Sequence, residues 1–201
     1  MKIPYSLVKI KSILSHPVLF LQQLTRVRYG ADRWSDKSSL SSEWDSRTIL
    51  IAGLIPEGSR VLEFGAANLV LKDYLPDGCV YQPSDIVSRS EDTIVCDLNR
   101  CMPNLEGTYT HVVFSGVLEY INDIPRLLDH IGGKTQYILA SYSTTDVVSD
   151  YVTRKRNGWV NHYSDEKIVR MFRDGGFVLE SRQAWKYQAI YVFVKMGDLC
   201  T

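Results

Sequence analysis

One stretch, residues 59–71, most constrains how this chain can fold. Its apolar run at 61–64 is interrupted by Glu63 and ends at Gly65, and further leucines follow at once. This pattern predicts a buried strand that turns at a glycine into a short helix. Gly65 permits the sharp turn and lets a ligand approach the backbone, while the first amides of the helix face the same gap with positive partial charge. Glu63 would lie near the carboxyl end of the strand, where open parallel sheets bind their ligands.

The length and charge of the chain argue against several classes of protein. A chain of 201 residues suits one domain with an extension, and its 23 basic and 23 acidic side chains cancel. This balance argues against a broad phosphate-binding face and against nucleic acid as a partner. The four cysteines have no paired metal-ligand spacing, so we expect no metal site and reduced thiols in a cytoplasmic protein. No apolar run reaches the roughly 18 residues that span a bilayer.

Residues 1–42 are predicted to form an extension and linker ahead of a domain at 43–201. Residues 1–28 contain basic but no acidic side chains, and their apolar residues recur at helical spacing. Two interpretations of this basic amphipathic helix stay open. It covers the domain or a dimer partner, or it rests on an anionic membrane and makes the protein peripherally membrane-associated. A serine-rich linker follows, and the sequence leaves the oligomeric state open.

Acidic residues follow the second and third predicted strands. Asp85 lies 20 residues beyond Gly65, at the tip of the second strand, where it is placed to accept hydrogen bonds from ribose hydroxyls. Asp97, beside the apolar Leu98, follows the third strand. Only about eight residues separate these two strands, although a parallel crossover normally needs a dozen or more. The usual helix between them is therefore predicted to be reduced to a loop.

Two segments of the chain resemble motifs of the class I S-adenosylmethionine-dependent methyltransferases. Glu63 and Gly65 match the acid and the first glycine of motif I. Residues 116–120, Gly-Val-Leu-Glu-Tyr, are similar to the segment that follows the family's fourth strand. The chain departs from the family at Ala67 and Leu69, which stand where motif I has its two later glycines.

The resemblance implies an α/β fold: a Rossmann-like, mostly parallel sheet with an antiparallel C-terminal hairpin, trimmed by loss of the helix between strands 2 and 3. It covers roughly residues 43–195, with His111 standing where the family usually has an aspartate. It also implies S-adenosylmethionine as the cofactor. The residues that it assigns to cofactor binding are Glu63, Gly65, Ala66, Asp85, Asp97, Leu98 and Ser115.

The implied reaction is in-line displacement of a methyl group from a cationic sulfonium. The expected acceptor is a small molecule, a sugar or a lipid-linked glycan, methylated on oxygen or nitrogen. Alignment supplies much of the acceleration, and such an acceptor can also need a base. Candidate catalytic residues are His162, Glu119 and Tyr142, and His162 is preferred because neutral imidazole accepts protons near pH 7. No cation is expected beside Ser115, because it would repel the sulfonium.

Two other functions stay open at this point. A nicotinamide-binding Rossmann enzyme would need glycines at positions 65, 67 and 70, where this chain has glycine, alanine and valine. A catalytically inactive, methyltransferase-like partner subunit is the other alternative. It is motivated by the missing motif I glycines, because Leu69 would crowd the methionine part of the cofactor.

Three local patterns also allow more than one interpretation. Asp45 or Ser46 is predicted to cap a helix that leads into the first strand. Trp44 and Arg47, near its start, either close over the cofactor or serve as a buried anchor and a surface charge. The basic run at 154–156 forms a solvated face or grips a phosphate or carboxylate of the acceptor.

Overall fold

The computed structural model describes residues 30–197. Its strands are β1 (Arg60–Phe64), β2 (Val80–Asp85), β3 (Ile94–Val95), β4 (Tyr109–Phe114), β5 (Thr135–Tyr142), β6 (Phe177–Trp185) and β7 (Gln188–Lys195). Its α-helices are α1 (Gly30–Trp34), α2 (Asp45–Ala52), α3 (Val70–Tyr74), α4 (Ile124–Gly132), α5 (Tyr151–Arg156) and α6 (Asp165–Asp174). Short 3-10 helices lie at Lys37–Ser39, Ser42–Trp44 and Leu118–Tyr120.

All seven strands join one sheet in the order β3-β2-β1-β4-β5-β7-β6. The first five strands pair in parallel, whereas β7 runs antiparallel to both β5 and β6. This arrangement confirms the predicted α/β fold, with its Rossmann-like sheet and its closing antiparallel hairpin.

The central strands bury both of their faces, which explains why they are almost continuously apolar in sequence. Leu62 and Phe64 of β1 pack into a core with residues of α4 and α6. Val61, between them in the strand, points to the other face and packs with Ile51 of α2 and Leu71 of α3. Alternate side chains of a strand point to opposite faces, so one short run supplies both cores.

The crossover from β2 to β3 is unusually short, as predicted. Residues 86–93 contain no helix, yet β2 and β3 pair in parallel through Ser84 with Ile94 and Asp85 with Val95. The connection from β3 to β4, residues 96–108, also has no helix or strand.

The predicted start of α2 is wrong in detail. Neither Asp45 nor Ser46 caps it: the N-cap position is Trp44, which makes no capping hydrogen bond through its side chain. The cap lies one element earlier, where the Ser41 hydroxyl accepts a hydrogen bond from the amide of Glu43 at the start of a 3-10 helix. The chain therefore enters α2 directly from that 3-10 helix.

The N-terminal prediction falls mostly on residues that the structure does not describe. The basic amphipathic helix at 1–28 lies outside residues 30–197, and so does Cys200. Within the described part of the chain, no helix combines the length and the hydrophobicity needed to cross a membrane.

Candidate active site

A cavity of about 710 Å³ lies at the carboxyl ends of β1, β2 and β4. Residues at the ends of these strands line it, together with residues 31–34, 40–41 and 44–45 of the N-terminal segment. Further wall residues come from 157–160 and from 187–188 beside the final hairpin. This is the edge of a parallel sheet where ligands bind, and the volume suits a small-molecule site.

The turn after β1 keeps the shape of a glycine-rich loop although it contains one glycine. Gly65 has φ +73°, and a Cβ atom at this position would lie 2.3 Å from Cγ2 of Val117. Ala67 and Leu69 adopt φ angles of 45° and 61°, in the left-handed region that glycine normally occupies. Leu69 is not among the residues that line the cavity. Its side chain therefore does not crowd the space in the way that its sequence position suggested.

Asp85, at the tip of β2, holds this turn in place. Its Oδ2 accepts hydrogen bonds from the amide of Ala67 at 2.8 Å and from Nε of Arg89 at 3.1 Å. Its Oδ1 accepts from the amide of Val87 at 3.1 Å. Arg89 also donates to the backbone oxygen of Trp34 at 2.9 Å, which ties the acid to the N-terminal wall of the cavity.

Glu63 lies at the end of β1 and lines the cavity, yet its exposed fraction is only 2%. Tyr81 donates its hydroxyl proton to Oε2 of Glu63. Burial raises the pKa of Glu63 to about 8, so the carboxyl group is largely protonated at neutral pH. A positively charged group placed beside it would favour the ionised form.

The tip of β4 is occupied by a cation, contrary to the expectation from sequence. Nε and one terminal nitrogen of Arg47 donate to Oγ and to the backbone oxygen of Ser115, both at 3.0 Å. The other terminal nitrogen donates to Oε1 of Gln188 at 2.8 Å. Arg47 is 6% exposed, and burial lowers its pKa while nearby Glu119 opposes that change. Both Arg47 and Ser115 line the cavity.

A single turn after β3 places Asp97 and Leu98, which were assigned to the cofactor, and the preceding Cys96 on the cavity wall. The backbone oxygen of Asp97 accepts hydrogen bonds from the amides of Arg100 at 2.8 Å and Cys101 at 3.0 Å. This turn presents Cys96, Asp97 and Leu98 to the cavity.

The seven residues assigned to cofactor binding all line this cavity, whereas the three candidate catalytic residues do not. Glu119 is fully buried. Its Oε1 accepts hydrogen bonds from the amide of Ser143 at 2.7 Å and from Nε2 of Gln188 at 2.8 Å, while its Oε2 has no partner among residues 30–197. Burial raises the pKa of Glu119. Glu119 therefore supports Gln188, and through it Arg47, from below the cavity.

Tyr142 and His162 belong to a buried network around Arg154. The Tyr142 hydroxyl donates to Oδ1 of Asn161 at 2.7 Å and accepts from Arg154 at 3.2 Å. Nδ1 of His162 accepts a hydrogen bond from Nε of Arg154 at 2.9 Å, and burial together with Arg154 and Lys155 lowers its pKa. His162 is thus held neutral in the framework of the loop that follows β5.

The prediction of a solvated face at 154–156 is wrong for Arg154. This residue is 1% exposed, and its remaining N–H groups bind the backbone oxygens of Ser143, Val148 and Asn161. Its guanidinium also lies 4.8 Å from the ring centroid of Trp159. Every donor of the side chain is therefore used within the protein.

The part of the cavity lining that is contributed by segments other than the β1–β3 tips is rich in aromatic side chains, and we call it the aromatic half. Its aromatic lining residues are Trp34, Trp44, Tyr120, Trp159 and Tyr187. The rings of Trp34 and Tyr120 meet edge to face at 5.1 Å. Arg33 lies 4.7 Å from the Trp34 ring and donates to the backbone oxygen of Asn157 at 2.6 Å.

Sequence reasoning missed residues 31–34, which it assigned to the linker. The available signal was a tryptophan and an arginine in an otherwise serine-rich stretch. Among residues 30–197, no group of three or more His, Cys, Asp or Glu side chains is arranged to hold a metal ion.

Comparison with known proteins points to one family. A family model described as "Methyltransferase domain" matches residues 37–182. A search of curated protein sequences finds no match to the chain.

Several solved structures share the fold at low sequence identity. A structure from Nostoc punctiforme that is described as an O-methyltransferase has a TM-score of 0.64 and 15% identity, over 81% of this chain and 60% of that one. The Burkholderia thailandensis 1,6-didemethyltoxoflavin-N1-methyltransferase, solved with 1,6-didemethyltoxoflavin and S-adenosylhomocysteine, has a TM-score of 0.58 and 14% identity over 97% and 91% of the two chains. The pyocyanin biosynthetic protein PhzM has a TM-score of 0.60 and 12% identity, and this chain covers 54% of its length with 74% of its own.

Proposed function

The chain belongs to the methyltransferase-domain family, and on that premise we propose that it transfers a methyl group from S-adenosylmethionine to a small-molecule, sugar or lipid-linked glycan acceptor. The observation that most supports this proposal is the open cavity at the strand tips. Residues assigned to the cofactor from separate parts of the sequence meet there, including Gly65, Asp85, Asp97 and Ser115.

The chemistry of the cavity fits this cofactor. When bound, S-adenosylmethionine supplies a methyl group on a positively charged sulfur. Asp85 is the proposed acceptor for the ribose hydroxyls. Its two oxygens together offer about four lone-pair sites, of which the amides of Ala67 and Val87 use two and Arg89 uses two, so ribose would replace Arg89 there. Asp97 and Leu98 are assigned to the adenine. Because Gly65 has no side chain, a ligand can approach the backbone of the turn closely.

Glu63 and Arg47 are suited to the two charged groups of the methionine part. Glu63 becomes a carboxylate when an ammonium group approaches it, and Arg47 has five N–H donors, of which three are used by Ser115 and Gln188. The remaining donors match a carboxylate. In this role Arg47 binds a negative group, which removes the objection to a cation at the tip of β4.

The chain's own residues contribute mainly by alignment. Ser115 is fixed by Arg47 and by Thr48, whose hydroxyl lies 2.8 Å from that of Ser115. Because His162, Glu119 and Tyr142 do not line the cavity, we assign them to positioning: Glu119 orients Gln188, and the other two order the loop after β5. Holding two reactants in a productive geometry is itself a large source of rate acceleration.

The aromatic half of the cavity is the proposed acceptor site. Trp34, Tyr120 and Trp159 give this part of the lining an aromatic character that suits a planar molecule or the apolar face of a sugar ring. The balanced charge of the chain supports a small molecule or glycan over nucleic acid. Membrane contact through residues 1–28 stays a prediction, because those residues lie outside the described part of the chain.

Binding of S-adenosylhomocysteine tests the cofactor site directly. At a ligand concentration of a hundred times its dissociation constant, the wild type should gain about 2.7 kcal/mol of unfolding free energy. Asp85→Asn should lose at least about half of this gain, because its affinity should be at least about tenfold weaker. The matched control is Asp73→Asn on the exposed side of α3, which should keep it. A wild type that shows no gain at millimolar ligand would contradict the proposal.

A non-catalytic, methyltransferase-like partner subunit is the second candidate. The observation in its favour is the ion pair between Asp85 and Arg89, which already occupies the acid that would bind ribose. Arg89→Met separates the two functions. If Arg89 blocks Asp85 in an inactive site, S-adenosylhomocysteine should bind only to the Arg89→Met variant. If the site is active, the ligand should bind to both the wild type and the variant. Tritiated methyl transfer to small molecules of a cell extract then tests the activity itself.

A further inference from the structure

Two cysteines that the proposed reaction does not use lie side by side at the edge of the cavity. The Sγ atoms of Cys96 and Cys101 are 3.5 Å apart, and Sγ of Cys96 lies 3.2 Å from the backbone oxygen of Cys101. Cys96 is 7% exposed and lines the cavity, whereas Cys101 is exposed to solvent. A reagent in solvent can therefore reach Cys101, and the buried Cys96 lies next to it.

The local backbone accounts for this pairing. The amides of Arg100 and Cys101 both bind the backbone oxygen of Asp97, so a single helical turn brings position 101 back over position 96. A disulfide needs an S–S distance of about 2.05 Å, so the sulfurs must approach by about 1.5 Å. The turn belongs to the connection from β3 to β4, residues 96–108, which contains no helix or strand.

The same turn forms the cavity wall that we assign to the adenine. Asp97 and Leu98 lie between the two cysteines in sequence, and both line the cavity. Drawing Cys101 toward Cys96 therefore changes the wall at the residues that would contact the ligand. Cys79, another thiol of the described residues, donates to the backbone oxygen of Pro56 at 3.5 Å. It directly precedes β2 and therefore lies at the end of that strand remote from Asp85 and the cavity.

We propose that Cys96 and Cys101 form a reversible dithiol–disulfide site for low-molecular-weight disulfides, and that its oxidation weakens cofactor binding. The second half of this proposal rests on the proposed function. The exposed Cys101 thiolate attacks one sulfur of the small disulfide and displaces the first small thiolate. The sulfur of Cys96 then attacks Sγ of Cys101, gives its proton to water and displaces the second. The two cysteines are oxidised by two electrons, and the small disulfide is reduced to two thiols.

The test uses the full chain carrying Cys79→Ser and Cys200→Ser, so that the pair supplies its only thiols. After incubation with glutathione disulfide, the intact mass should fall by two hydrogen atoms. Trypsin cleaves after Arg100, so the disulfide should join two peptides that dithiothreitol separates. Adding Cys101→Ser should abolish the link. A stable glutathione adduct on Cys101 without a link to Cys96 would overturn the site.

Calorimetric titration with S-adenosylhomocysteine tests the consequence. The oxidised protein should bind about tenfold more weakly than the reduced protein, and dithiothreitol should restore the affinity. The variant with Cys101→Ser should show no change on the same treatment. Equal affinities of the linked and reduced forms would overturn the coupling. If the reduced protein fails to bind at all, the proposed function fails, while the mass measurement still decides whether the cysteine site exists.

Discussion

The two halves of the cavity were not equally visible in the sequence. At the tips of β1, β2, β3 and β4, the residues assigned to the cofactor line the cavity. On the proposed acceptor side, whose lining includes residues 31–34 and 157–160, the suggested bases do not line the cavity. Strand tips are placed by the sheet, whereas loops are placed by side-chain networks that have no regular spacing.

Strand register explains the first half. Phe64, the last residue of β1, pairs with Ser84, and the next residue of β2 is Asp85, which in turn pairs with Val95 of β3. A residue just beyond one strand therefore has fixed neighbours just beyond the next. Knowing the strands is sufficient to place the acids beside Gly65.

The acceptor half depends instead on one buried cation, and removing it should have the largest effect. Arg154→Met removes one hydrogen-bond donor from each of three backbone oxygens, from Tyr142 and from His162. Each buried acceptor that loses its partner costs about 1–3 kcal/mol, so we expect a loss of unfolding free energy of at least about 3 kcal/mol. Urea denaturation followed by tryptophan fluorescence measures this loss.

Arg156→Met on the same helix is the matched control. Arg156 is exposed, so its replacement should change the unfolding free energy by no more than about 0.5 kcal/mol. Equal effects of the two substitutions would show that Arg154 does not organise the loop. The acceptor half would then need another explanation for its order.

Arg154 also shows where prediction from sequence ends. Three adjacent basic residues usually form a solvated face, and nothing in their spacing reveals that acceptors from Ser143, Val148 and Asn161 converge on the first of them. Arg47 is similar, because its partners Ser115 and Gln188 are distant in sequence. By contrast, the short β2–β3 crossover follows from the spacing of the strands, and the closing antiparallel hairpin is what the family resemblance implied.

The substitution Gly65→Ala should have the next largest effect on stability, and it tests the part of the cavity that we assign to the cofactor. Gly65→Ala forces an L side chain into a left-handed conformation and places its Cβ 2.3 Å from Cγ2 of Val117. The conformation costs about 1–2 kcal/mol and the overlap about 1–3 kcal/mol more. Gly58→Ala is a close control, because φ is +69° and no atom lies within 4 Å of its Cβ.

The difference between these two variants isolates the contact with Val117. Gly65→Ala should be less stable than Gly58→Ala by about 1–3 kcal/mol in urea denaturation. It should also bind S-adenosylhomocysteine at least about tenfold more weakly, whereas Gly58→Ala should bind it normally. Similar behaviour of the two variants would mean that the turn after β1 is not a close-approach site.

The raised pKa of Glu63 predicts that the affinity for the cofactor depends on pH. Its pKa of about 8 is raised by burial, with Tyr81, Asp85 and Arg47 as the other groups that act on it. An ammonium group beside it favours the carboxylate, so binding releases a proton and affinity for S-adenosylhomocysteine should rise by up to about tenfold per pH unit from pH 6 to 8. Calorimetry in buffers of different ionisation enthalpy measures both effects.

Glu63→Gln should remove this pH dependence and the proton release. In the ligand-free protein, Glu63 makes the free energy of unfolding fall as the pH rises, which is opposite to its effect on ligand affinity. A free carboxyl titrates at about 4.3 in the unfolded chain, so the contribution of Glu63 to stability is complete below that pH and is lost as the pH rises toward 8. Affinity that is flat with pH in the wild type would show that Glu63 does not meet a cation.

Ala67→Gly should have the smallest effect, and it asks whether the missing motif I glycines matter. Ala67 has φ 45°, and its amide is held by Oδ2 of Asp85. Glycine relieves about 1 kcal/mol or more of conformational strain but adds about 0.5–1 kcal/mol of backbone entropy to the unfolded chain. We therefore expect an unfolding free energy within about 1 kcal/mol of wild type, on the stabilising side, and an affinity for S-adenosylhomocysteine changed by less than about threefold. A large gain in affinity would mean that the alanine distorts the turn. A null result, set against the loss in Gly65→Ala, would show that Asp85 and the sheet impose the shape of this loop, so that glycine is required only at Gly65, where Val117 leaves no room for a side chain.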